Sequence, residues 1–109
     1  MNDPALAAFR TVAAGEAIRE GAVIPTYLID RKLRISIARV GGRLYAFEDL
    51  CTHDGCPLSS GLLSATTIMC QCDGSRFDLP TGAVISGPAA DALKVYDVRE
   101  VEGKIQIRA

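Results

Sequence analysis

The sequence lacks the features that define several large classes of proteins. No run of eighteen apolar residues is present, so we expect no transmembrane helix. A net charge of −1 gives no excess of basic residues for binding nucleic acid or an anionic membrane. The first ten residues contain no basic segment followed by an apolar one, so we expect no secretory signal peptide and a soluble, cytoplasmic protein.

Helical periodicity is also missing, apart from one short turn expected at residues 89–92. Short apolar or β-branched runs are instead separated by Gly and Pro, which is typical of antiparallel strands. Gly41-Gly42 and Glu102-Gly103 each lie between two such runs and indicate hairpins. The expected strands cover residues 9–13, 21–29, 33–37, 44–47, 66–69, 76–79, 84–85, 94–101 and 104–108.

This pattern predicts an all-β fold, an antiparallel sandwich or partial barrel. The chain has 109 residues, of which 49% are hydrophobic, and this is enough for one domain with one core. In residues 33–37 apolar and polar residues alternate, which places Leu33, Ile35 and Ile37 on one buried face. We expect a single domain over residues 1–109, with a small subdomain inserted at about residues 51–85.

The four cysteines and the only histidine fall in two short loops, residues 51–58 and 70–78. Four cysteines are too few to replace a hydrophobic core, and clustered Cys and His in a cytosolic chain indicate metal or redox chemistry. The spacing is Cys-x-His, then sixteen residues, then Cys-x-x-Asp.

This spacing resembles the Rieske iron–sulfur pattern, in which two cysteines hold one iron of a 2Fe–2S cluster and two histidines hold the other. Outside the ligand positions, the chain is similar to Rieske-type ferredoxins over nearly its whole length. The similarity includes Leu44-Tyr45-Ala46, Pro57-Leu58, Gly61, the run Gly-Ser-Arg-Phe-Asp at 74–78, Thr81-Gly82 and Gly87-Pro88. The resemblance implies a Rieske-type fold with a cluster-binding subdomain.

The resemblance also implies a ligand set. By position, Cys51 and Cys70 match the thiolate ligands and His53 matches the first imidazole, while Asp73 stands where the family has its second histidine. A carboxylate oxygen is an acceptable ligand for ferric iron, which favours a cluster with one His replaced by Asp. Because Asp-Gly is also a common turn dipeptide, a site that has lost its cluster stays open as an alternative.

Other positions match residues around the family's cluster. Cys56 and Cys72 match a pair that forms a disulfide between the two loops in the respiratory and photosynthetic branch; two buried thiols or zinc ligands are the alternatives. Ser75 matches a serine that donates to a bridging sulfide in high-potential members, and Phe77 replaces their tyrosine. Pro88 belongs to the Gly-Pro loop that closes over the cluster in the family.

The resemblance implies a soluble one-electron carrier that is not itself an enzyme. Its partners would be a flavin-dependent ferredoxin reductase and a terminal oxygenase or related oxidoreductase. Two alternatives stay open. One is a cluster-free or zinc-binding small subunit of a larger oxidoreductase, similar to a nitrite reductase small subunit. The other is a redox-sensing or zinc-binding module that works through Cys56 and Cys72.

Overall fold

The structure is a computed structural model that describes residues 8–109. The first seven residues, on which the expectation about a signal peptide mainly rests, lie outside this range. Residues 8–109 form ten strands and two 3-10 turns, Gly15–Ala17 and Leu58–Ser60. The strands are β1 (Arg10–Ala14), β2 (Val23–Leu28), β3 (Leu33–Val40), β4 (Arg43–Glu48), β5 (Leu62–Ser64), β6 (Thr67–Met69), β7 (Arg76–Asp78), β8 (Val84–Ser86), β9 (Val95–Val101) and β10 (Lys104–Arg108).

Six of the strands form a large antiparallel sheet in the order β1-β10-β9-β4-β3-β2. Its edge strands, β1 and β2, lie near each other at one end, where Arg10 of β1 pairs with Asp30, two residues after β2, at 2.7 Å. The large sheet is thus curved so that its two edges approach, as in a nearly closed barrel.

The other four strands form a small antiparallel sheet in the order β5-β6-β7-β8. This sheet and its loops are inserted between β4 and β9, which pair with each other through Ala46 opposite Tyr96 and Phe47 opposite Val95. The inserted segment therefore leaves and re-enters the large sheet at adjacent points.

The central strands β3 and β4 separate two hydrophobic cores. Ile35, Ile37 and Ala46 lie in the core formed within the large sheet. Ala38 and Phe47 point to the opposite face, where they pack with residues of the inserted segment. Both faces of these strands are therefore covered. The inserted segment packs against the large sheet through this second hydrophobic core, to which both contribute residues.

The predicted all-β, antiparallel fold is confirmed, and both expected hairpins are present. Gly41 and Gly42 take φ values of +60° and +77° in the turn between β3 and β4. Ile35 and Ile37 are fully buried as the alternation predicted, whereas Leu33 is only partly buried against the same core. The expected strands correspond to observed strands with shifts of up to three residues at their ends, the largest at β3, which continues to Val40.

Two expectations about local structure were wrong. Residues 89–92 form no helical turn. Ala89 is instead buried in the core, and its N–H donates a hydrogen bond to Ser75 Oγ of the second loop. Strand β5 was missed because the turn that follows it carries no glycine signal. Ala65 adopts a left-handed φ of +50° there, which sequence patterns assign to Gly or Asn.

Candidate metal centre

The two cysteine-containing loops have the same backbone turn. In the first loop the Gly55 N–H donates to the Cys51 carbonyl at 2.9 Å, and in the second the Gly74 N–H donates to the Cys70 carbonyl at 2.9 Å. Both glycines adopt a left-handed φ, +78° for Gly55 and +79° for Gly74. This conformation costs glycine little, so the sequence of each loop suits the turn.

Each turn is capped by an aspartate that precedes its glycine. Asp54 accepts a hydrogen bond from the Cys56 N–H at 3.0 Å, and Asp73 accepts one from the Ser75 N–H at 2.8 Å. An aspartate that bonds the backbone two residues on is a common device for fixing a tight turn. Here it also fixes the direction in which each carboxylate points.

The carboxylates point at buried thiols across the gap between the loops. Cys51 and Cys70 are free and only 1% and 0% exposed. The Cys51 Sγ lies 3.6 Å from Asp73 Oδ2, and the Cys70 Sγ lies 3.7 Å from Asp54 Oδ1. One potential ligand atom from each of these four residues lies within 4.8 Å of all the others. Two soft sulfur donors and two hard carboxylate oxygen donors therefore lie close together between the loops.

The protonation of the site follows from burial and hydrogen bonding. Burial raises the pKa of the Cys70 thiol to about 11. The hydrogen bond from the Ser75 N–H lowers the pKa of Asp73 to about 2. At neutral pH the protein alone thus holds a protonated thiol beside an ionised carboxylate. A bound metal cation would favour the deprotonated form of Cys70, because metals bind the thiolate.

The structure brings three of the four sequence-predicted ligands together. Cys51, Cys70 and Asp73 lie in the converging group, whereas His53 is exposed to solvent and lies outside it. Asp54, which does not match a ligand position of the spacing, is the fourth member of the group. The signal that could have found it is the repeat of Cys-x-x-Asp-Gly in the two loops.

The remaining two cysteines are joined to each other. Cys56 and Cys72 form a disulfide, with their Cα atoms 6.4 Å apart. Because the two residues belong to different loops, the bond holds the loops at a fixed separation. As a disulfide, the pair offers no free thiolate for a structural zinc.

A model of the Rieske [2Fe-2S] domain family matches residues 8–97 of the chain. The chain belongs to the Rieske [2Fe-2S] domain family. Its Rieske domain is 37% identical over 73 residues to ferredoxin CarAc of Metapseudomonas resinovorans, covering 67% of this chain and 68% of the relative. It is 35% identical over 97 residues to the 3-phenylpropionate/cinnamic acid dioxygenase ferredoxin subunit of Shigella flexneri serotype 5b (strain 8401), covering 88% and 83% of the two chains.

Solved structures show the same fold. The Rieske domain superimposes with a TM-score of 0.86 and 30% identity on a chain from a complex of reduced oxygenase and oxidised ferredoxin in carbazole 1,9a-dioxygenase, covering 92% of each chain. The ferredoxin of carbazole 1,9a-dioxygenase from Nocardioides aromaticivorans IC177 gives a TM-score of 0.84 and 26% identity, covering 91% of this chain and 95% of that one.

The donors of this Rieske domain fit an iron–sulfur centre in their chemistry. Cys51 and Cys70 are free, buried and close together, as two thiolate ligands must be. Carboxylate oxygens also bind iron, although they are harder donors than the imidazoles of the family pattern. A 2Fe–2S cluster is thus the cofactor that the family implies, and the residues present are compatible with it.

A third segment of the Rieske domain contacts both loops. The Ala89 N–H donates to Ser75 Oγ of the second loop at 2.9 Å, and Thr52 Oγ1 of the first loop donates to the Asp91 carbonyl at 2.7 Å. Pro88 directly precedes Ala89, so the Gly-Pro turn lies beside the second loop. Residues 87–91 therefore close the space between the loops from one side.

Phe77, which replaces a tyrosine of high-potential family members, is fully buried. It lies on β7 within the core of the inserted segment. Because phenylalanine has no hydroxyl group, this side chain contributes packing and no hydrogen bond to the site.

A buried carboxylate that sequence reasoning missed anchors the first loop. Asp49, two residues before Cys51, accepts hydrogen bonds from Ser59 N–H at 2.6 Å, from Ser59 Oγ at 2.8 Å and from Arg34 Nε at 2.6 Å. These contacts connect β3 with both ends of the first loop. Among residues 8–109, no helix is long and apolar enough to cross a membrane.

Proposed function

We propose that this Rieske domain works as a soluble one-electron carrier between a flavin-dependent reductase and a terminal oxygenase or related oxidoreductase. A 2Fe–2S cluster, when bound, takes up and releases one electron at a time. The observation that carries the proposal is the pair of buried, free thiols, Cys51 and Cys70, facing each other from two loops with the family's spacing.

For the ligands we propose Cys51 and Cys70 on one iron and Asp73 at the position of the family's second histidine. Asp73 is supported both by its spacing from Cys70 and by its distance of 3.6 Å from the Cys51 thiol. His53 is the fourth ligand that the family spacing implies, and it is supported by spacing alone. Asp73 brings a negative charge where an imidazole would be neutral, so it favours the oxidised state of the centre.

The surroundings of the donors suit transfer of electrons to a docked partner. Cys51 and Cys70 are buried, which keeps water from the thiolates, whereas His53, Gly55 and Gly74 are exposed on the outer side of the loops. A partner that contacts this exposed side would come within a short distance of the donors. The disulfide between the loops limits their movement when the charge of the site changes.

The partners are inferred from the relatives. The relatives named above are ferredoxins, one of them a subunit of a dioxygenase, and one matching structure is a complex of an oxygenase with a ferredoxin. Transient electron-transfer complexes use small interfaces, so a limited exposed area is sufficient for docking. We therefore place the oxygenase contact at the exposed side of the two loops.

The test is reconstitution of the purified protein with iron and sulfide, followed by visible absorption and by chemical assay of both elements. Two irons and two sulfides per chain, with reversible bleaching on one-electron reduction, support the proposal. Transfer of electrons from a flavin-dependent reductase to a Rieske-type oxygenase should then depend on the reconstituted protein. A colourless protein after reconstitution would contradict the carrier function and favour a subunit that has lost its cluster.

A further inference from the structure

The small sheet has one face in the second hydrophobic core and one face open to solvent. The buried face packs through Leu63, Ile68, Phe77 and Val84. Because side chains alternate along a strand, the neighbours of these residues point to the other side. On that outward face Leu62 of β5, Arg76 of β7 and Ile85 of β8 are exposed.

A row of three side chains crosses the outward face of the small sheet. Leu62 stands opposite Met69 of β6, and Met69 stands opposite Arg76. We call Leu62, Met69 and Arg76 the outer row. Met69 directly precedes Cys70, and Arg76 directly follows Ser75. The outer row therefore borders the second loop of the metal centre.

The outer row and Ile85 line a groove that is mainly apolar. Leu62 is 64% exposed and Ile85 is 53% exposed, and the remaining lining residues are Ser64 and Thr67. The volume of the groove is about 260 Å³. Small-molecule pockets typically enclose about 300–1,000 Å³ and bury most of their ligand. This smaller, exposed groove is better suited to a side chain of a protein partner.

Arg76 gives this groove a single positive charge. Within residues 8–109 its side chain forms no ion pair and no hydrogen bond. Asp78, two residues further along β7, accepts a hydrogen bond from Thr81 Oγ1 at 2.7 Å and does not line the groove. A carboxylate that pairs with Arg76 would therefore come from another molecule.

We propose that the outer row and Ile85 form a docking surface for the terminal oxygenase, which fills the groove with an apolar side chain and pairs a carboxylate with Arg76. This proposal rests on the proposed function, which names the oxygenase as the electron acceptor. Met and Arg are enriched at protein interfaces, and an arginine binds a carboxylate through two parallel hydrogen bonds.

Position and charge both favour the oxygenase as the occupant. The groove is continuous with the exposed side of the second loop, so a protein seated there also covers Gly74 beside the metal centre. A second copy of this chain is a poorer match. Two copies stacked on this face would bring two Arg76 cations together, with no carboxylate from either groove to balance them.

The test is calorimetric titration of the reconstituted protein with the terminal oxygenase of carbazole 1,9a-dioxygenase, since a matching structure shows that system as an oxygenase–ferredoxin complex. At low salt we expect Arg76→Glu to weaken binding about 10-fold or more, and Leu62→Ser to weaken it about 5-fold. Added salt should reduce the effect of Arg76→Glu and leave that of Leu62→Ser, because salt screens charges only.

Each variant has a matched control at the end of the large sheet far from the loops. Arg43→Glu makes the same change of charge at the exposed start of β4, and Val101→Ser removes a side chain that is 40% exposed at the end of β9. Both controls should change the affinity by less than about 2-fold. Far-ultraviolet circular dichroism shows whether any variant has lost its fold.

Binding is measured without electron transfer, so the docking surface and the carrier function can fail separately. If the variants weaken binding but the unmodified protein passes no electrons, the docking surface stands and the carrier function fails. If electrons pass and the folded variants bind the oxygenase as tightly as the unmodified protein does, the docking surface is wrong. No binding by the unmodified protein, or a loss confined to the flavin-dependent reductase, would also overturn it.

Sedimentation of the protein alone tests the other occupant. We expect a monomer at the concentrations used for titration, with and without Leu62→Ser. A dimer that Leu62→Ser dissociates would show that a second copy of the chain covers the outer row, and the proposal would then be wrong.

Discussion

Arg34 Nε donates a hydrogen bond to Asp49 Oδ2 at 2.6 Å, and this contact ties the central strand β3 to the chain just before the first ligand cysteine. The Asp49 side chain is 0% exposed, while that of Arg34 is 50% exposed. The pair is thus a buried carboxylate that reaches a partly solvated guanidinium. Because Ser59 donates two more hydrogen bonds to the same carboxylate, Asp49 fixes both the beginning and the end of the first loop.

We predict that Asp49→Asn lowers the free energy of unfolding by about 2–3 kcal/mol, the range for losing a hydrogen bond to a charged group in a buried setting. The amide cannot accept from Arg34 and Ser59 with the same strength as a carboxylate. Urea unfolding at neutral pH measures the change. Asp30→Asn, which breaks the exposed pair with Arg10, is the control and should cost less than about 1 kcal/mol. Equal losses in the two variants would contradict the anchoring role of Asp49.

The charge of Asp73 should lower the reduction potential of the reconstituted centre. Replacing a carboxylate by a neutral imidazole removes one negative charge next to the iron, and an electron is then added more easily. Asp73→His is therefore expected to have a higher potential than the unmodified protein by protein-film voltammetry. Asp91→Asn removes an exposed charge that lies outside the converging group of donors and should change the potential less. An unchanged potential in Asp73→His would show that Asp73 does not bind the iron.

Gly82 and Gly21 offer a matched pair for testing a close backbone approach. Both have positive φ, +79° and +81°, but a Cβ on Gly82 would collide with the Leu93 carbonyl, whereas a Cβ on Gly21 would meet no atom within 4 Å. We predict that Gly21→Ala costs about 1–2 kcal/mol from the left-handed conformation alone. Gly82→Ala should cost a further 1–3 kcal/mol, roughly the range for overpacking. Thermal unfolding of the two variants measures the difference, and equal midpoints would contradict this contact.

Glu20 should make the stability of the fold depend on pH in the acid range. Its carboxylate accepts hydrogen bonds from the Gly41 and Gly42 N–H groups at 2.6 and 2.9 Å, and the Gly42 bond is the largest cause of the lowered pKa of Glu20. A pKa that is lower in the folded than in the unfolded state stabilises the fold above the ordinary value near 4.5, and this stabilisation is lost as the pH falls below it.

The measurement is the urea midpoint of Glu20→Gln and of the unmodified protein between pH 3 and pH 7. The two proteins should differ at pH 7 and converge as the pH falls towards 3. Glu102→Gln, in the turn of the other hairpin, serves as the control with the same change of charge. A difference between Glu20→Gln and the unmodified protein that grows towards low pH would contradict the prediction.

The strands could be predicted wherever turn chemistry marked their ends. Gly41-Gly42 predicts the hairpin of β3 and β4, because glycine takes a positive φ without steric cost. Ala65 also adopts a positive φ, but alanine does not indicate a turn in the sequence, so strand β5 was not predicted. The missing information is tertiary, since pairing with β6 holds Ala65 in its conformation.

The site was predictable only in part for a similar reason. Spacing selected Cys51, Cys70 and Asp73, which the structure brings together. It also selected His53, which lies outside this group and stays a prediction. It did not single out Asp54, whose carboxylate faces the Cys70 thiol, because spacing along the chain does not say which way a side chain of a tight turn points. That direction is set by the capping hydrogen bonds and by the disulfide between the loops, which appear only in the folded chain.

The segment that carries the metal-binding loops joins the large sheet only at the neighbouring ends of β4 and β9, so another segment could replace it there. Glu48 N–H donates to the Lys94 carbonyl at 2.9 Å, and Phe47 and Val95 stand opposite each other in the ladder of β4 and β9. A chain lacking residues 49–93 would need a tight turn between β4 and β9, and polar residues in place of Ala38 and Phe47, which the inserted segment covers. The large sheet is thus a scaffold for another loop system, provided that the new segment joins this single pair of neighbouring strand ends and covers the apolar face of β3 and β4.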